Sequence, residues 1–502
     1  MLVGDYLINS AERFPDKTAL VCGGKRFTYS ALADSVRSLS TLLQLQGLRR
    51  EERVAVFLEN SPEAVISMFA IAEAGACSVP VHPATPPTRL SYIIENCAPR
   101  FIIFAASKAP VVAEAEQGCT RSPVHIVTAS ADGPCDGVSF AELTSSSGSE
   151  MRPSIQEEDI ATIIYTSGST GNPKGVTHTH QSIDTAVDAV SRYLHQSPDD
   201  IILNFLPLTI GYGLLQMWVT FKNGGTLILE KGVGYPYEII QRILEEKVTG
   251  FAAVPTVFSI LLHLRGVGAE QCSSLRYITN AAAAMPQAFI PKLRSMFPSA
   301  KLFLMYGLTE CFRVSYLSPE LIDVNPASVG RGMPHVKVWV EDGAGSRVPR
   351  GEIGELVVSG KNIMKGYWND PDGTSRVIRQ EADERILRTG DLFRMDESGD
   401  LYFVGRMDDI IKTRGKKVSP LEVEEAIYQR DEVLEARVMG ISDEVLGEAI
   451  KAEIVLKKGL DLTADQVKAH CREVLEEFQV PKVVEVVASL PKSAGGKILR
   501  VN

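Results

Sequence analysis

Short apolar runs alternate with amphipathic stretches through the first three hundred residues of the chain. The runs at 54–58 and 101–104 are rich in β-branched or aromatic residues and indicate buried strands, whereas residues 30–47 and 61–75 have the apolar spacing of helices. Strands that alternate with helices predict parallel sheets covered by helices. We therefore expect an α/β fold for this large N-terminal part.

The pattern changes at about residue 326 to shorter strands separated by glycine and proline turns. Residues 336–340 and 355–358 indicate strands of a small antiparallel β subdomain. A small α+β unit follows it. We therefore expect a large domain over residues 1–405 and a small, mobile C-terminal domain over residues 406–502.

The first helix of the small domain has a clear start signal. Ser419 is a favourable N-cap residue, Pro420 suits the first helical position, and Glu422 has the spacing that completes a capping box. We expect a helix that begins at Pro420.

A loop rich in hydroxyl groups and glycine at 165–175 is the first candidate for chemistry. It reads Tyr-Thr-Ser-Gly-Ser-Thr-Gly-Asn-Pro-Lys-Gly and follows the apolar run 160–164. Glycines let backbone N–H groups turn inward, hydroxyls donate and Lys174 adds positive charge, so this loop suits phosphate. It is not a Walker A loop, because Lys174 precedes Gly175. Taken alone, the same composition also fits a flexible Ser/Gly linker.

Composition and charge exclude several classes of function. The 502 residues exceed one ordinary core, and the net charge of −10 argues against nucleic acid as a partner. Asp5 stands where a secretory signal would carry a basic residue, and the most apolar stretch, 64–72, is too short to span a membrane. The eight cysteines form no C-x-x-C pair and favour free thiols. We expect a cytoplasmic protein without an integral membrane segment.

Five further motifs follow the loop in a fixed order. With it, they resemble the acyl-adenylate-forming superfamily of acyl-CoA ligases, non-ribosomal peptide adenylation domains and luciferases over nearly the whole chain. The motifs are Tyr306-Gly307-Leu308-Thr309-Glu310, Gly354-Glu355-Leu356, Arg388-Thr389-Gly390-Asp391, Gly405-Arg406-Met407-Asp408-Asp409-Ile410-Ile411-Lys412 and Pro491-Lys492-Ser493-Ala494-Gly495-Gly496-Lys497.

The resemblance implies an ATP- and Mg²⁺-dependent enzyme that makes acyl-AMP, releases pyrophosphate and passes the acyl group to a thiol. It assigns Glu310 to Mg²⁺ and Thr309 to the α-phosphate, whereas Glu310 considered alone would be a solvated acid. The residues it assigns to ATP or AMP are Thr166, Ser167, Gly168, Ser169, Thr170, Gly171, Lys174, Ala282, Ala283, Tyr306, Gly307, Asp391 and Arg406.

Three charged residues of the motifs have distinct implied roles. Asp391 has two acceptor oxygens for the ribose hydroxyls, and the guanidinium of Arg406 suits ribose and phosphate oxygens. Lys497 would bridge the substrate carboxylate and the α-phosphate. Without the resemblance, Lys497 would be read as surface charge in a glycine-rich tail.

The resemblance also implies two conformations. Asp408 lies where the family has its hinge, which would turn Lys497 in for adenylation and another face in for thiol attack. That other face carries Arg414, Gly415, Lys416 and Lys417, whose charge suits coenzyme A phosphates or the acidic surface of a carrier protein. A solvated hairpin turn is the alternative interpretation of this cluster.

Two segments depart from the family pattern at the acyl side. At 206–213, Ile210 replaces the histidine of many acyl-CoA ligases, and Tyr212 is the nearest aromatic substitute. The segment also lacks the aspartate that would pair with the ammonium of an amino acid, which disfavours that substrate. At 280–285, two family glycines are alanines, and we assign Asn280 and Ala281 to a narrow acyl pocket.

The spacing of His178 and His180 is compatible with a metal, but no third ligand accompanies them. We therefore expect a structural role for this pair beside the loop.

The sequence thus predicts a free-standing acid–thiol ligase with coenzyme A as acceptor. A ligase for a separate acyl carrier protein, whose phosphopantetheine would supply the thiol, is the alternative, and an amino-acid adenylation enzyme is a third possibility. A non-catalytic nucleotide-binding regulator is disfavoured because Glu310, Asp391, Arg406 and Lys497 are all present. The motifs do not identify the acid.

Overall fold

The computed structural model describes residues 1–128, 138–141, 152–166, 172–232, 234, 236–264, 272–381, 384–443, 445–493 and 496–500. Two large sheets, a smaller antiparallel sheet and a C-terminal α+β unit account for its architecture. The expected α/β class, the antiparallel subdomain and the small C-terminal unit are therefore confirmed.

The larger sheet has nine strands and is parallel except at its ends. In spatial order its strands are Arg331–Gly332, Ser315–Tyr316, Lys301–Tyr306, Tyr277–Asn280, Gly250–Ala253, Ile201–Asn204, Thr226–Leu229, Thr18–Cys22 and Lys25–Thr28.

The second sheet has eight strands and ends in an antiparallel hairpin. Its strands are Gly366–Tyr367, Lys174–Thr179, Ile160–Thr166, Cys77–Pro80, Arg53–Phe57, Phe101–Ala105, Val124–Thr128 and Val138–Ser139. The hairpin pairs Thr166 with Lys174, so the loop singled out by the sequence connects these two strands.

Helices fill the space between the two sheets and cover their outer faces. Pro62–Glu73 and Gly211–Lys222 are buried on nearly all sides, and Phe69 meets Phe221 edge to face with ring centroids 5.2 Å apart. The other α-helices are Asp5–Arg13, Tyr29–Leu45, Pro87–Cys97, Ala109–Glu116, His180–Tyr193, Pro236–Glu246, Pro255–Leu261, Phe289–Met296, Pro371–Val377, Pro420–Tyr428 and Ala464–Val474. Short 3₁₀ turns lie at Ala106–Lys108, Pro319–Leu321, Met407–Asp409 and Glu477–Gln479.

The antiparallel subdomain is a five-stranded sheet. Its strands are Val336–Glu341, Ile353–Gly360, Glu384–Met395, Ile378–Glu381 and Leu401–Arg406. The C-terminal unit has a second five-stranded sheet of Lys416–Val418, Ile411–Thr413, Gly447–Leu456, Val433–Asp443 and Val483–Val486. One sheet thus ends at Arg406 and the next begins at Ile411, on either side of the predicted hinge.

The helix Pro420–Tyr428 begins where the sequence predicts, but its capping box does not form. Ser419 Oγ accepts the Leu421 N–H and donates to the carbonyl of Val404. Glu422 instead accepts a hydrogen bond from Gln479 at 2.6 Å. A tertiary partner therefore replaces the local contact that the spacing predicted.

The small unit packs directly on the larger part of the chain. Tyr428 meets Phe289 at 5.6 Å, Ser259 donates to the carbonyl of Leu434, and Lys292 pairs with Asp431. Every described cysteine is free, and no described helix has the length and apolarity that a membrane crossing requires.

Gly330 is the most crowded glycine near the edge of the nine-stranded sheet. Its φ is +71°, and a Cβ there would lie 1.8 Å from the carbonyl oxygen of Tyr316. Gly351 has a φ of +87° with nothing within 4 Å of a Cβ, so it serves as a matched control.

We expect Gly351→Ala to lower the free energy of unfolding by about 1–2 kcal/mol through backbone conformation alone. Gly330→Ala adds a collision with backbone and should cost about 3 kcal/mol or more. Urea denaturation of both variants measures the difference. Equal losses would show that the sheet edge yields to the added methyl group.

Candidate active site

The carboxylate of Asp391 lies at the centre of the candidate site. It is 8% exposed, and its Oδ2 accepts a hydrogen bond from the hydroxyl of Tyr306 at 2.6 Å. Arg406 Nε lies 3.3 Å from Oδ1, yet Oδ1 has no hydrogen-bond partner. Burial raises the pKa of Asp391, while Arg406 and Tyr306 act in the opposite direction. Oδ1 is therefore a buried acceptor that faces Arg406 and receives no hydrogen bond from the described residues.

Adjacent strands of the antiparallel subdomain hold Asp391 in place. Glu355 accepts hydrogen bonds from the Arg388 side chain at 2.8 Å and from the Gly390 N–H at 2.9 Å. Thr389 donates to the carbonyl of Leu356 and accepts the Asp391 N–H. The motifs at 354–356 and 388–391, separate in sequence, thus form one structural unit.

Tyr367 lies between Glu310 and Lys174 of the 165–175 loop. The hydroxyl of Tyr367 donates to Glu310 Oε1 at 2.9 Å, and Lys174 Nζ lies 4.9 Å from the centre of the Tyr367 ring. Tyr367 pairs with Val176 in the second sheet, which fixes its position beside the loop. The structure therefore brings Lys174 and Glu310 to one place.

The loop at 307–314 is tightly folded. Val314 N–H donates to the carbonyl of Tyr306 at 3.0 Å, and a Cβ on Gly307 would lie 2.3 Å from the carbonyl oxygen of Phe312. Only glycine permits that approach. The fold back leaves Thr309 and Glu310 half-buried in the loop.

His178 supports this loop from behind. Its Nε2 lies 2.7 Å from the carbonyl oxygen of Thr309, and its Nδ1 lies 3.1 Å from Ser182 Oγ. Burial lowers the pKa of His178 to about 4, so the ring is neutral at pH 7. His180 Nδ1 accepts the N–H of Val3 and is also neutral, because burial lowers its pKa to about 4. Both rings have structural partners, in line with the expected role.

Lys497 reaches the same region from the C-terminal unit. The carbonyl of Gly496 accepts a hydrogen bond from Thr256 at 2.9 Å, which attaches this segment to the larger part. Lys497 is exposed by surface area, yet enough protein surrounds its ammonium for desolvation to lower its pKa. Repulsion from Arg406 lowers that pKa further, and attraction to Asp391 opposes both effects.

The residues predicted for the acyl pocket make mainly structural contacts. The Tyr212 hydroxyl lies 2.8 Å from Thr279 Oγ1, and Asn280 Nδ2 donates to the carbonyl of Ala283 at 3.2 Å. Ala281 is buried in the main core. Ala282 is exposed and has a left-handed φ of +71°, a conformation that suits the glycine of the family pattern better than alanine.

Other predicted residues are not brought to this place. Arg414 and Gly415, with φ of +50° and +71°, form the two-residue turn of an exposed hairpin. Lys416 Nζ lies 6.0 Å from the ring of Phe478, within the small unit. Asp408 is exposed in the 3₁₀ turn. Ser167, Gly168, Ser169, Thr170 and Gly171 lie outside the described residues.

The arrangement is compatible with Mg²⁺ that arrives with ATP. No group of three or more potential metal-ligating side chains occurs among the described residues. Mg²⁺ commonly uses one or two carboxylates together with substrate phosphates. Glu310, with Oε1 held by Tyr367, supplies such a carboxylate.

Sequence reasoning missed Tyr367 and did not assign a role to Glu355 or Arg313. Glu355 stands in a motif, but its bonds to Arg388 and Gly390 depend on strand pairing. Tyr367 belongs to the short strand Gly366–Tyr367, which pairs with the strand after the loop, and no local spacing points to Glu310. Arg313 lies three residues after Glu310. The signal that could have identified it is a single cation inside an apolar segment.

Comparison with known proteins gives a family for most of the chain. The family described as AMP-binding enzyme matches residues 7–368, and the AMP-binding enzyme C-terminal domain matches residues 422–497. The resemblance noted in the sequence is thereby confirmed.

Individual relatives cover nearly the full length. A long-chain-fatty-acid–CoA ligase of Bacillus subtilis (strain 168) is 33% identical over 98% of this chain and 92% of its own. The structure of an anthranilate CoA ligase in complex with anthranoyl-AMP has a TM-score of 0.92 at 26% identity, covering 99% of this chain and 95% of that chain. A benzoate CoA ligase from Burkholderia xenovorans LB400 has a TM-score of 0.90 at 25% identity, covering 100% and 99%. The acids in these names differ, so the comparisons identify the reaction type and not the acid.

The two buried histidines predict acid lability. Each has a folded-state pKa of about 4 against an ordinary value of 6.5, so unfolding takes up a proton at each ring between these pH values. Stability is therefore lost as pH falls from 6.5 towards 4, by about 1.4 kcal/mol per pH unit for each histidine.

His178→Gln keeps a side-chain N–H donor for Thr309 and removes one titrating group. We expect the pH dependence of the free energy of unfolding, measured with urea between pH 6.5 and 5, to decrease by about 1 kcal/mol per pH unit, since the unfolded histidine is only partly protonated near pH 6.5. Measurement at pH 7.5, where both rings are neutral, separates this effect from lost packing. An unchanged slope would contradict the neutral, buried state of His178.

Proposed function

Because the chain belongs to the AMP-binding enzyme family, we propose that it activates a carboxylic acid as acyl-AMP and transfers the acyl group to coenzyme A. It is an AMP-forming acid–thiol ligase, and its curated relatives include several acid–CoA ligases. The observation that carries the proposal is the convergence of Asp391, Arg406 and Lys497 from separate motifs beside the loop that holds Glu310.

In the first half-reaction, a carboxylate oxygen attacks the α-phosphorus of ATP, and pyrophosphate leaves. Two anions must meet, so positioning and charge neutralisation dominate catalysis. The proposed roles are Glu310 for the Mg²⁺ of MgATP, Lys174 for phosphate and Asp391 for the ribose hydroxyls. The lack of a hydrogen-bond donor for Asp391 Oδ1 among the described residues supports the last of these.

Lys497 is proposed to neutralise the charge that develops between carboxylate and α-phosphate. Its ammonium lies near Asp391 and Arg406, and the bond from Thr256 to Gly496 holds its segment against the larger part. This arrangement supports an assignment of the described conformation to adenylation. Acyl transfer would then need a different placement of the small unit.

In the second half-reaction, the thiol sulfur attacks the acyl carbon, and AMP leaves. We propose a large domain over 1–405, a small domain over 406–502 and a hinge near Asp408. The change of sheet between Arg406 and Ile411 supports this boundary. Rotation there would carry Lys497 away and bring the basic hairpin at 414–417 towards the site.

Coenzyme A is the preferred acceptor because relatives named as CoA ligases span nearly all of this chain. A carrier protein would use the same hairpin and is the second candidate. An amino acid remains the less favourable substrate, since the 206–213 segment lacks the carboxylate that its ammonium requires. The proposed setting is the cytoplasm, in keeping with the free cysteines described above.

Replacement of Lys497 tests the assignment of the first half-reaction. Lys497→Ala should lower acyl-AMP formation, followed by ATP–pyrophosphate exchange, by about 100-fold or more, because a cation aimed at developing charge is lost. Thioester formation from supplied acyl-AMP should largely survive. Lys492→Ala is the matched control, because Lys492 pairs with Glu435 within the small unit.

Equal loss of both half-reactions in Lys497→Ala would contradict the two-conformation mechanism. Absence of exchange in the unmodified enzyme with every acid of a broad panel would contradict the proposed activity itself.

The basic hairpin can be tested separately. Replacement of both Lys416 and Lys417 with alanine should raise KM for coenzyme A several-fold and weaken its dependence on salt, because exposed charges attract phosphates through screened electrostatics. KM for ATP should change little. If KM for coenzyme A stays constant across salt concentrations in both the unmodified enzyme and the double variant, the hairpin carries ordinary surface charge and does not bind coenzyme A.

A further inference from the structure

Arg313 is the largest fully buried side chain among the described residues, with 2% of its surface exposed. No described carboxylate lies within ion-pair distance of its guanidinium, and Nε is buried without a hydrogen-bond partner. A buried cation without an anion is unfavourable unless something else compensates its charge. The buried charge of Arg313 therefore calls for a partner.

The neighbours of Arg313 are aromatic and compensate its charge only in part. The guanidinium carbon lies 4.8 Å from the centre of the Tyr212 ring, a cation–π distance. The guanidinium also acts on the hydroxyls of Tyr193 and Tyr212 through its charge and through hydrogen bonds, and both effects oppose the rise in pKa that burial causes. The ring of Tyr193 stacks on the ring of Tyr316, with centroids 4.1 Å apart. We call Tyr193, Tyr212 and Tyr316 the aromatic wall beside Arg313.

The position of Arg313 connects it with the reaction. It belongs to the 307–314 loop, whose other end carries Thr309 and Glu310, so a single short loop contributes to both the nucleotide side and the Tyr212 side. Phe312, directly before Arg313, has a left-handed φ of +58°. A bulky residue rarely adopts this conformation, and such strain is typical of functional sites.

We propose that Arg313 binds a second carboxylate of the acyl substrate, so that the enzyme activates one carboxyl group of a dicarboxylic acid. A guanidinium presents paired N–H donors that match a carboxylate. The second carboxylate of the bound acid would supply the negative charge that the described protein groups do not provide for Arg313. This inference rests on the proposed acid–thiol ligase activity and specifies its substrate class.

The test compares dicarboxylic acids with their monomethyl esters in ATP–pyrophosphate exchange, over short to long chains. Each pair has the same backbone and differs in the second charge. We expect the unmodified enzyme to favour the diacid of the best length by at least about tenfold in kcat/KM, as a charge-assisted contact provides. Exchange with monoesters or plain acids, but preference against every diacid, would overturn the inference while leaving the ligase activity intact.

Arg313→Gln should lower the diacid-to-monoester ratio of kcat/KM by about 10- to 100-fold, mainly through KM for the diacid. Arg313→Lys keeps the charge without the paired geometry and should restore part of the ratio. An equal loss for diacid and monoester in both variants would identify Arg313 as a structural cation of the aromatic wall.

If Arg313→Gln does not fold, calorimetric binding to the unmodified enzyme in the presence of a non-hydrolysable ATP analogue decides the matter. The diacid should bind more tightly than its monoester, by a margin that shrinks as salt rises. Equal affinities would overturn the inference.

Discussion

The buried carboxylate of Asp391 is the contact on which the candidate site depends. It receives a hydrogen bond from Tyr306 of the nine-stranded sheet and lies beside Arg406 at the end of the antiparallel subdomain. Its charge also acts on Lys497 of the C-terminal unit. A buried carboxylate needs such partners. The same requirement that stabilises the charge therefore gathers three parts of the chain around one position.

A network behind Asp391 makes that position rigid. Glu355 accepts from Arg388 and from the Gly390 N–H, so one strand positions the carboxylate of the next. On the opposite side, Tyr367 orients Glu310. Glu355 and Tyr367 each position a neighbouring part of the site. They convert sheet register into the geometry of the site.

The 307–314 loop links two requirements that adenylation places on the protein. At one end Thr309 and Glu310 face the nucleotide-side residues, and at the other Arg313 lies against Tyr212. His178 holds the loop from behind through the carbonyl of Thr309. A change in this loop would therefore affect phosphate chemistry and acyl recognition together, because the backbone between them is short and tightly packed.

Much of the fold and part of the site could be predicted from the sequence alone. Apolar periodicity located the strands near 54 and 101 and the helices near 30 and 61, because burial on a sheet or helix face imposes that period on the chain. Ordered motifs gave the family, and the roles proposed for the residues of those motifs depend on that resemblance. The helix at Pro420 was predicted from its cap residues, although Glu422 was drawn to Gln479 instead of closing the capping box.

Only the tertiary structure decided which residues meet. Tyr367 reaches Glu310 because residues 366–367 pair with the strand that follows the loop, a contact between segments far apart in sequence. The isolation of Arg313 from any described carboxylate is likewise a property of its surroundings. Local sequence determines the type of element and the chemistry it carries. Long-range pairing and burial determine which charges are neighbours, and no local pattern encodes those.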